Sequence, residues 1–395
     1  MDQIPILDGV RVVDMTQYLA GPTVTRLLAE MGADIVKLER PPHGDPGRAF
    51  AVIEDGRSAW FVQQNRGKKS LCIDHDDPRG REILDALLAE ADVFVENFGP
   101  GVLEKRGLDW ATLHTTHPRL IMVSVSGYGR TGAYSDRTAF DLIAQAQSGI
   151  MHMTGSPDGP PQPVGTSVGD VGAGVHATAA LGFALYHRER TGRGQHLDIS
   201  MVDSLFHMHE MNVAGPALTG FRWKPTRAGH QSRVNAPQGA YRGPEGWLVL
   251  HVMDRQWPAM CAAMGRDDLR HDARFDGLRP RQKNRAELNT IIETWMAGFT
   301  TDDDVLAVLE AHRVPCAKVL APYDAIGHPH FESRDMIRRV EDPIIDEVVI
   351  PGSPLRFSEQ PEPLDLRAPL LGEHNQAVLE EIGYSAAAVE ALVAA

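Results

Sequence analysis

Asp170 is the side chain best suited to covalent chemistry. It stands in Val168-Gly169-Asp170-Val171-Gly172-Ala173-Gly174, ahead of an Ala-, Leu- and Val-rich stretch expected to be helical from Val171 to about Arg190. Asp is a favoured N-cap, and capping alone would explain it. A cap needs no glycines, however, and Gly169, Gly172 and Gly174 strip side chains from both sides, so that something large can approach the backbone. A carboxylate there is also kept ionised by the helix dipole, which suits a nucleophile. On position alone both roles stand.

Other motifs carry less. Gly127-Tyr128-Gly129-Arg130-Thr131-Gly132 fits G-x-G-x-x-G after a strand, but no apolar helix follows to hold a pyrophosphate, so a turn is the better reading. His207/His209 and His328/His330 are spaced by two and lack an H-E-x-x-H pattern, so no metal site is expected. No G-x-S-x-G elbow is present. Arg66, Lys68 and Lys69 form a basic cluster that reads as a solvated loop unless a ligand claims it. Asn97-Phe98-Gly99-Pro100-Gly101 follows a strand, where α/β sheets open their ligand crevices. Cys72, Cys261 and Cys316 are few and scattered, as expected of buried thiols in a reducing cytosol.

The elements that must position these residues alternate. Short β-branched runs at 10–13, 34–38, 70–73, 93–95 and 120–126 are spaced by helical patterns at 23–31 and 79–91. That alternation predicts parallel βαβ units in an open α/β sheet. A strand at 196–200 and a helix at 202–212 follow, then a Gly/Pro/Arg-rich stretch, 215–244, that reads as a linker. A smaller α+β unit is expected next, with a strand at 247–252 and helices near 256–264, 285–298 and 302–311. A Pro-rich loop (351–369) and a helix at 375–382 close the chain.

The chain has 395 residues and a formal net charge of −14, which disfavours nucleic acid and anionic lipid as partners. Residues 35–70 run against that average, with seven Lys/Arg and four acids; residues 331–395 hold five Arg and thirteen acids. No uninterrupted apolar run reaches membrane-spanning length and the start lacks a signal-peptide pattern, so a cytoplasmic protein with no membrane partner is expected.

Taken together, LDGVRVVDMTQYLAGP (7–22), GADIVKLERP (32–41), NRGKKSLCIDH (65–75), VENFGPG (95–101), VGD (168–170), HRERTGRGQHLDISMVDS (187–204), NAPQGAYR (235–242) and RAPLLGEHN (367–375) resemble the family III CoA-transferases, the CaiB/BaiF family. The resemblance runs through nearly the whole chain. It implies exchange of CoA between an acyl-CoA and a carboxylic acid, with CoA as substrate and no tightly bound cofactor. Asp170 matches the family's nucleophile, which forms a mixed anhydride and then an aspartyl-CoA thioester. Gln17, Leu19, Ala20, Arg40, Ile73, Asn97, Phe98, Lys105 and Arg106 match CoA contacts, and Arg137 could replace a nearby basic residue. Pairing of basic groups with CoA phosphates would then account for the early basic cluster. Backbone N–H groups around Gln238 and Gly239 are candidate oxyanion donors.

Phe140 is a departure from the related 2-methylacyl-CoA racemases, which keep a His there. Phenylalanine moves no proton, so transfer is favoured; His152 or His176 as a second base keeps a racemase, and a non-catalytic CoA binder, as alternatives. The acyl pocket is expected near Gln17, Phe140 and residues 230–242. The resemblance also implies an interlocked homodimer. It implies a large Rossmann-like CoA-binding domain (1–215), a linker and small α+β domain (216–330), and a C-terminal segment returning to the large domain (331–395), with the active site where domains and subunits meet.

Overall fold

The computed structural model describes residues 4–360 and 366–393. Part of the expected Pro-rich loop, 361–365, therefore lies outside the described residues. By contacts the chain divides into two compact units, one of residues 1–150, 164–213 and 329–395, the other of 151–163 and 214–328.

The first unit is built on six parallel strands: β1 (Arg11–Met15), β2 (Asp34–Glu39), β3 (Lys69–Cys72), β4 (Val93–Glu96), β5 (Ile121–Ser126) and β6 (His196–Ser200). Their order is β3-β2-β1-β4-β5-β6. The chain moves outward from β1 in one direction, then returns to β4 and moves outward in the other. The loops after β1 and β4 thus flank the point where connections diverge, the usual place for a ligand crevice.

Central strands are buried on both faces because helices cover both, and they are mainly apolar, with Asp14, Lys37, Glu39 and Glu96 as buried charges toward their C-terminal ends. On one face, α1 (Ala20–Glu30) and α5 (Val168–Thr191) bury Val24, Leu28, Ala173, Ala177 and Leu181. On the other, α3 (Pro78–Glu90) buries Ile83, Leu84, Leu87 and Leu88 beside Val378 and Leu379. Three shorter helices also matter below: α2 (Ala59–Asn65), α4 (Asp141–Ser148) and α6 (Met201–His207).

Helix α5 is long and apolar enough to cross a membrane by length and composition, although Asp170, His176 and Thr178 interrupt its apolar run. Ala173, Ala177 and Leu181 nevertheless pack in the core of the unit. Helix α6 ends at His207, short of the expected 212.

The C-terminal segment closes the β3 edge. His374 N–H donates to Ser70 O, Ser70 N–H to His374 Nδ1, and Cys72 N–H to Asn375 Oδ1. A hairpin that the sequence does not announce, β10 (Ile337–Asp342) and β11 (Asp346–Pro351), is fixed by Asp342. Its buried carboxylate takes Arg57, whose guanidinium also reaches the carbonyls of Ala368 and Pro369.

The second unit holds a three-stranded antiparallel sheet, β9-β8-β7, from β7 (Gln238–Arg242), β8 (Trp247–His251) and β9 (Cys316–Lys318). Helices Trp257–Ala263, Arg285–Met296 and Asp302–Ala311 complete a core around Tyr241, Leu250, Met260, Ile292 and Leu309. The expected linker 215–244 is not wholly irregular, since it contains most of helix Ala214–Leu218 and all of β7.

Candidate active site

Asp170 lies in the first turn of α5, three residues past the N-cap Ser167, so it is not the cap. Its surroundings differ from the expected ones. Gly169 lies against Asp141 Oδ1, Gly172 against Met208, and Gly174 against Thr23 and the carbonyl of Ala20; an added Cβ would stand 2.9, 2.9 and 2.7 Å from the nearest atom. These glycines seat α5 against α1, α4 and the end of α6. They do not clear a path for a ligand.

Asp141, in the first turn of α4, accepts the Gly169 N–H at 2.7 Å and Gln145 Nε2 at 2.6 Å. It therefore takes a donor at the α5 N-terminus and places a second carboxylate close to the first. Burial, with Asp141 adding repulsion, pushes the Asp170 carboxyl up to about 7. The helix dipole does not keep it as acidic as the sequence suggests. Among the described residues, no cation lies within ion-pair distance of Asp170.

The loop after β1 is held by a buried set of charges. Asp14 accepts Thr16 N–H and Oγ1–H, and Lys68 Nζ lies 3.0 Å from its other oxygen. Lys37 Nζ donates to Thr16 O at 2.7 Å and pairs with Asp45 at 2.9 Å. Asp45 accepts Tyr18 N–H. Arg66 pairs with Glu30, and Lys69 bridges Asp34 and Glu381. The basic cluster at 66–69 is thus spent internally: Arg66 and Lys68 side chains are fully buried, a correction to its assignment to CoA phosphates.

The residues matched to CoA contacts fall into three groups. Leu19 and Ala20 are buried at the start of α1, Ile73 and Phe98 pack against the α3 core, and Gln17 and Asn97 are bonded to each other. Arg40 pairs with Asp74 and Asp76, and Arg106 pairs with Asp76 while lying over the Phe98 ring. Lys105 and Arg137 are exposed, Arg137 with its guanidinium 3.7 Å from the Tyr134 ring centre. Arg40, Lys105 and Arg106 are the matched cations near the ends of β2 and β4 that solvent reaches.

Phe140 is the N-cap of α4 and is 70% exposed; its ring meets Tyr18 edge to face. Tyr18 meets Phe50 in the same way, and Phe50 meets Trp60. Gln238 and Gly239 belong to β7 of the second unit. Gln238 Nε2 lies 3.2 Å from His251 Nδ1, and the place a Gly239 side chain would take is filled by His230 O. His176 Nδ1 is bonded to Gly172 O within its own helix, and its ring meets His207 edge to face.

The G-x-G-x-x-G segment is a turn: Arg130 N–H donates to Asp198, and its guanidinium grips Glu96 and the carbonyl of Phe98. Among the described residues no group of three metal-type side chains converges. Sequence reasoning missed Asp141, Asp45, Lys37 and Trp60. Only Asp141 left a signal, as an acid directly after Phe140.

A family model described as CoA-transferase family III matches residues 7–375. The succinyl-CoA:mesaconate CoA-transferase of Haloarcula hispanica is 39% identical, over 95% of this chain and 96% of its own. The formyl-CoA:oxalate CoA-transferase of Streptomyces coelicolor is 35% identical, over 94% of both chains. A CAIB/BAIF family protein from Brucella suis superposes with a TM-score of 0.86 at 34% identity, over 96% of this chain and all of that one.

Proposed function

The chain belongs to CoA-transferase family III and is an enzyme of that family, and from that premise we propose that it moves CoA to a small dicarboxylic acid through covalent intermediates on Asp170. The observation carrying this reading is the isolation of Asp170: a half-buried carboxylate with no cation paired to it among the described residues and a second carboxylate beside it. Such a group is a poor structural anchor and a better nucleophile than a paired one.

In the proposed sequence an Asp170 oxygen attacks the thioester carbonyl, the C–S bond breaks and CoA thiolate leaves behind an aspartyl-acyl anhydride. The thiolate attacks the Asp170 carbonyl, releasing the donor acid and forming aspartyl-CoA thioester. The acceptor carboxylate attacks that thioester, and the displaced thiolate then takes the acceptor acyl group and frees Asp170. Relatives named for mesaconate and oxalate support a dicarboxylate acceptor. Arg40, Lys105 and Arg106 are proposed to meet CoA phosphates.

A homodimer is part of the same proposal. Val175, Phe183 and Tyr186 form an apolar stripe on α5, Phe183 being 77% exposed, and a second copy would cover it. Exposure to succinyl-CoA followed by hydroxylamine tests the covalent step. A hydroxamate mapped to Asp170 is expected; steady transfer with no adduct at that residue would refute the mechanism.

A further inference from the structure

The two loops at the divergence point are stapled to one another. Asn97 Oδ1 accepts Gln17 N–H at 2.8 Å, and Asn97 Nδ2 donates to Gln17 O at 2.8 Å. Every other backbone polar group of Thr16–Tyr18 is also taken by a side chain. Thr16 N–H goes to Asp14 and Thr16 O to Lys37; Tyr18 N–H goes to Asp45 and Tyr18 O to Trp60 Nε1. Six groups in three consecutive residues are satisfied by side chains from β1, β2, α2 and the loops after β2 and β4.

A loop that merely crosses a surface can leave these groups to water. This one uses several buried charges instead, which is costly unless a fixed shape is required. The shape is an unusual one. Tyr18 has φ of 62°, a left-handed backbone that a tyrosine seldom adopts unaided. Gly21 completes the joint, since a Cβ there would stand 2.5 Å from Thr16 and 3.0 Å from Asn97.

We propose that Asn97 is a positioning residue, which presets the crevice by locking the Gln17–Tyr18 backbone. One acceptor site and one donor of its carboxamide are spent on Gln17, so its first role is to hold that backbone. The locked loop holds the Tyr18 ring against Phe140, the neighbour of Asp141, which in turn holds the N-terminus of the Asp170 helix. The loop's three N–H groups are likewise committed, so the oxyanion donors of the reaction lie elsewhere. The inference rests on Asp170 as the reacting group.

Asn97→Ala separates the two roles. For a positioning residue, amide exchange of residues 17 and 18, followed by mass spectrometry, accelerates about tenfold or more while β5 is unchanged. Transfer kcat falls roughly 10²-fold, as expected for a misplaced site, and the Kd for CoA by calorimetry stays within about threefold. A Kd raised more than about tenfold with unchanged exchange makes Asn97 a ligand and overturns the proposal. Rapid exchange of these amides in the unmodified protein overturns it as well. Trp60→Phe, which keeps an aromatic ring beside Phe50 and deletes the donor to Tyr18 O, gives the same changes in smaller measure if Asn97→Ala does not fold. The exchange measurement needs no substrate, so a protein that transfers no CoA would refute the transferase reading separately.

Discussion

Asp14 is fully buried and Asp170 half-buried in the same unit, and their acidities diverge. At Asp14 burial works to raise the pKa, but Lys68, Lys37 and the hydroxyls of Thr16 and Thr25 outweigh it and hold the group well below the usual carboxylate range. At Asp170 burial has no such opponent, and Asp141 adds to it. Burial alone therefore does not set the acidity of a carboxylate. The sign of the neighbours does.

The sharpest way to break this contrast is to remove each carboxylate. Asp170→Ala is expected to lower transfer by roughly 10³-fold or more while CoA binding changes about threefold or less, read by coupled kinetics and calorimetry. Asp14→Asn should instead strand Lys68 in the interior. The expected loss is about 3–5 kcal/mol in urea unfolding, and the double change Asp14→Asn/Lys68→Met should recover much of it. If Asp14→Asn costs nothing, the buried pair is not what holds the β1 loop.

A smaller effect tests the raised pKa through stability. The unfolded chain loses the Asp170 proton near 4 and the folded chain near 7, so folding is penalised as pH rises through that window. Asp170→Asn is expected to exceed the unmodified protein in stability by about 1–3 kcal/mol at pH 8, after allowance for partial exposure, with the gap closing by pH 4. Thermal melts across pH that stay parallel would contradict it. The smallest effect concerns Asp141→Asn. Removing its charge should move the acidic limb of the kcat profile, which rises with pH near 7, about half to one unit lower.

The same contrast explains what could be read from the chain. The parallel sheet was legible because its strands are short β-branched runs separated by helices. The helix that carries Asp170 was legible too, though the glycines around it serve helix packing and not ligand access. The cations at 66–69 were misread because their partners, Glu30, Asp14, Asp34 and Glu381, lie on other elements, and no local pattern separates a buried lysine from a solvated one. The hairpin at 337–351 was hidden for a related reason: its charged strand is fixed by Arg57, 285 residues away. The staple between Asn97 and Gln17 spans 80 residues and has no signature in either segment.

The closure of the β3 edge sets a timetable for synthesis. Ser70 and Cys72 leave the ribosome some 300 residues before His374 and Asn375, which cover them. At roughly 5–20 residues per second the sheet waits on the order of 15–60 s with that edge unpaired. Throughout that interval the nascent chain offers a strand edge to its neighbours on the same message. A chain cut short before His374 would lack the three hydrogen bonds that cover Ser70 and Cys72.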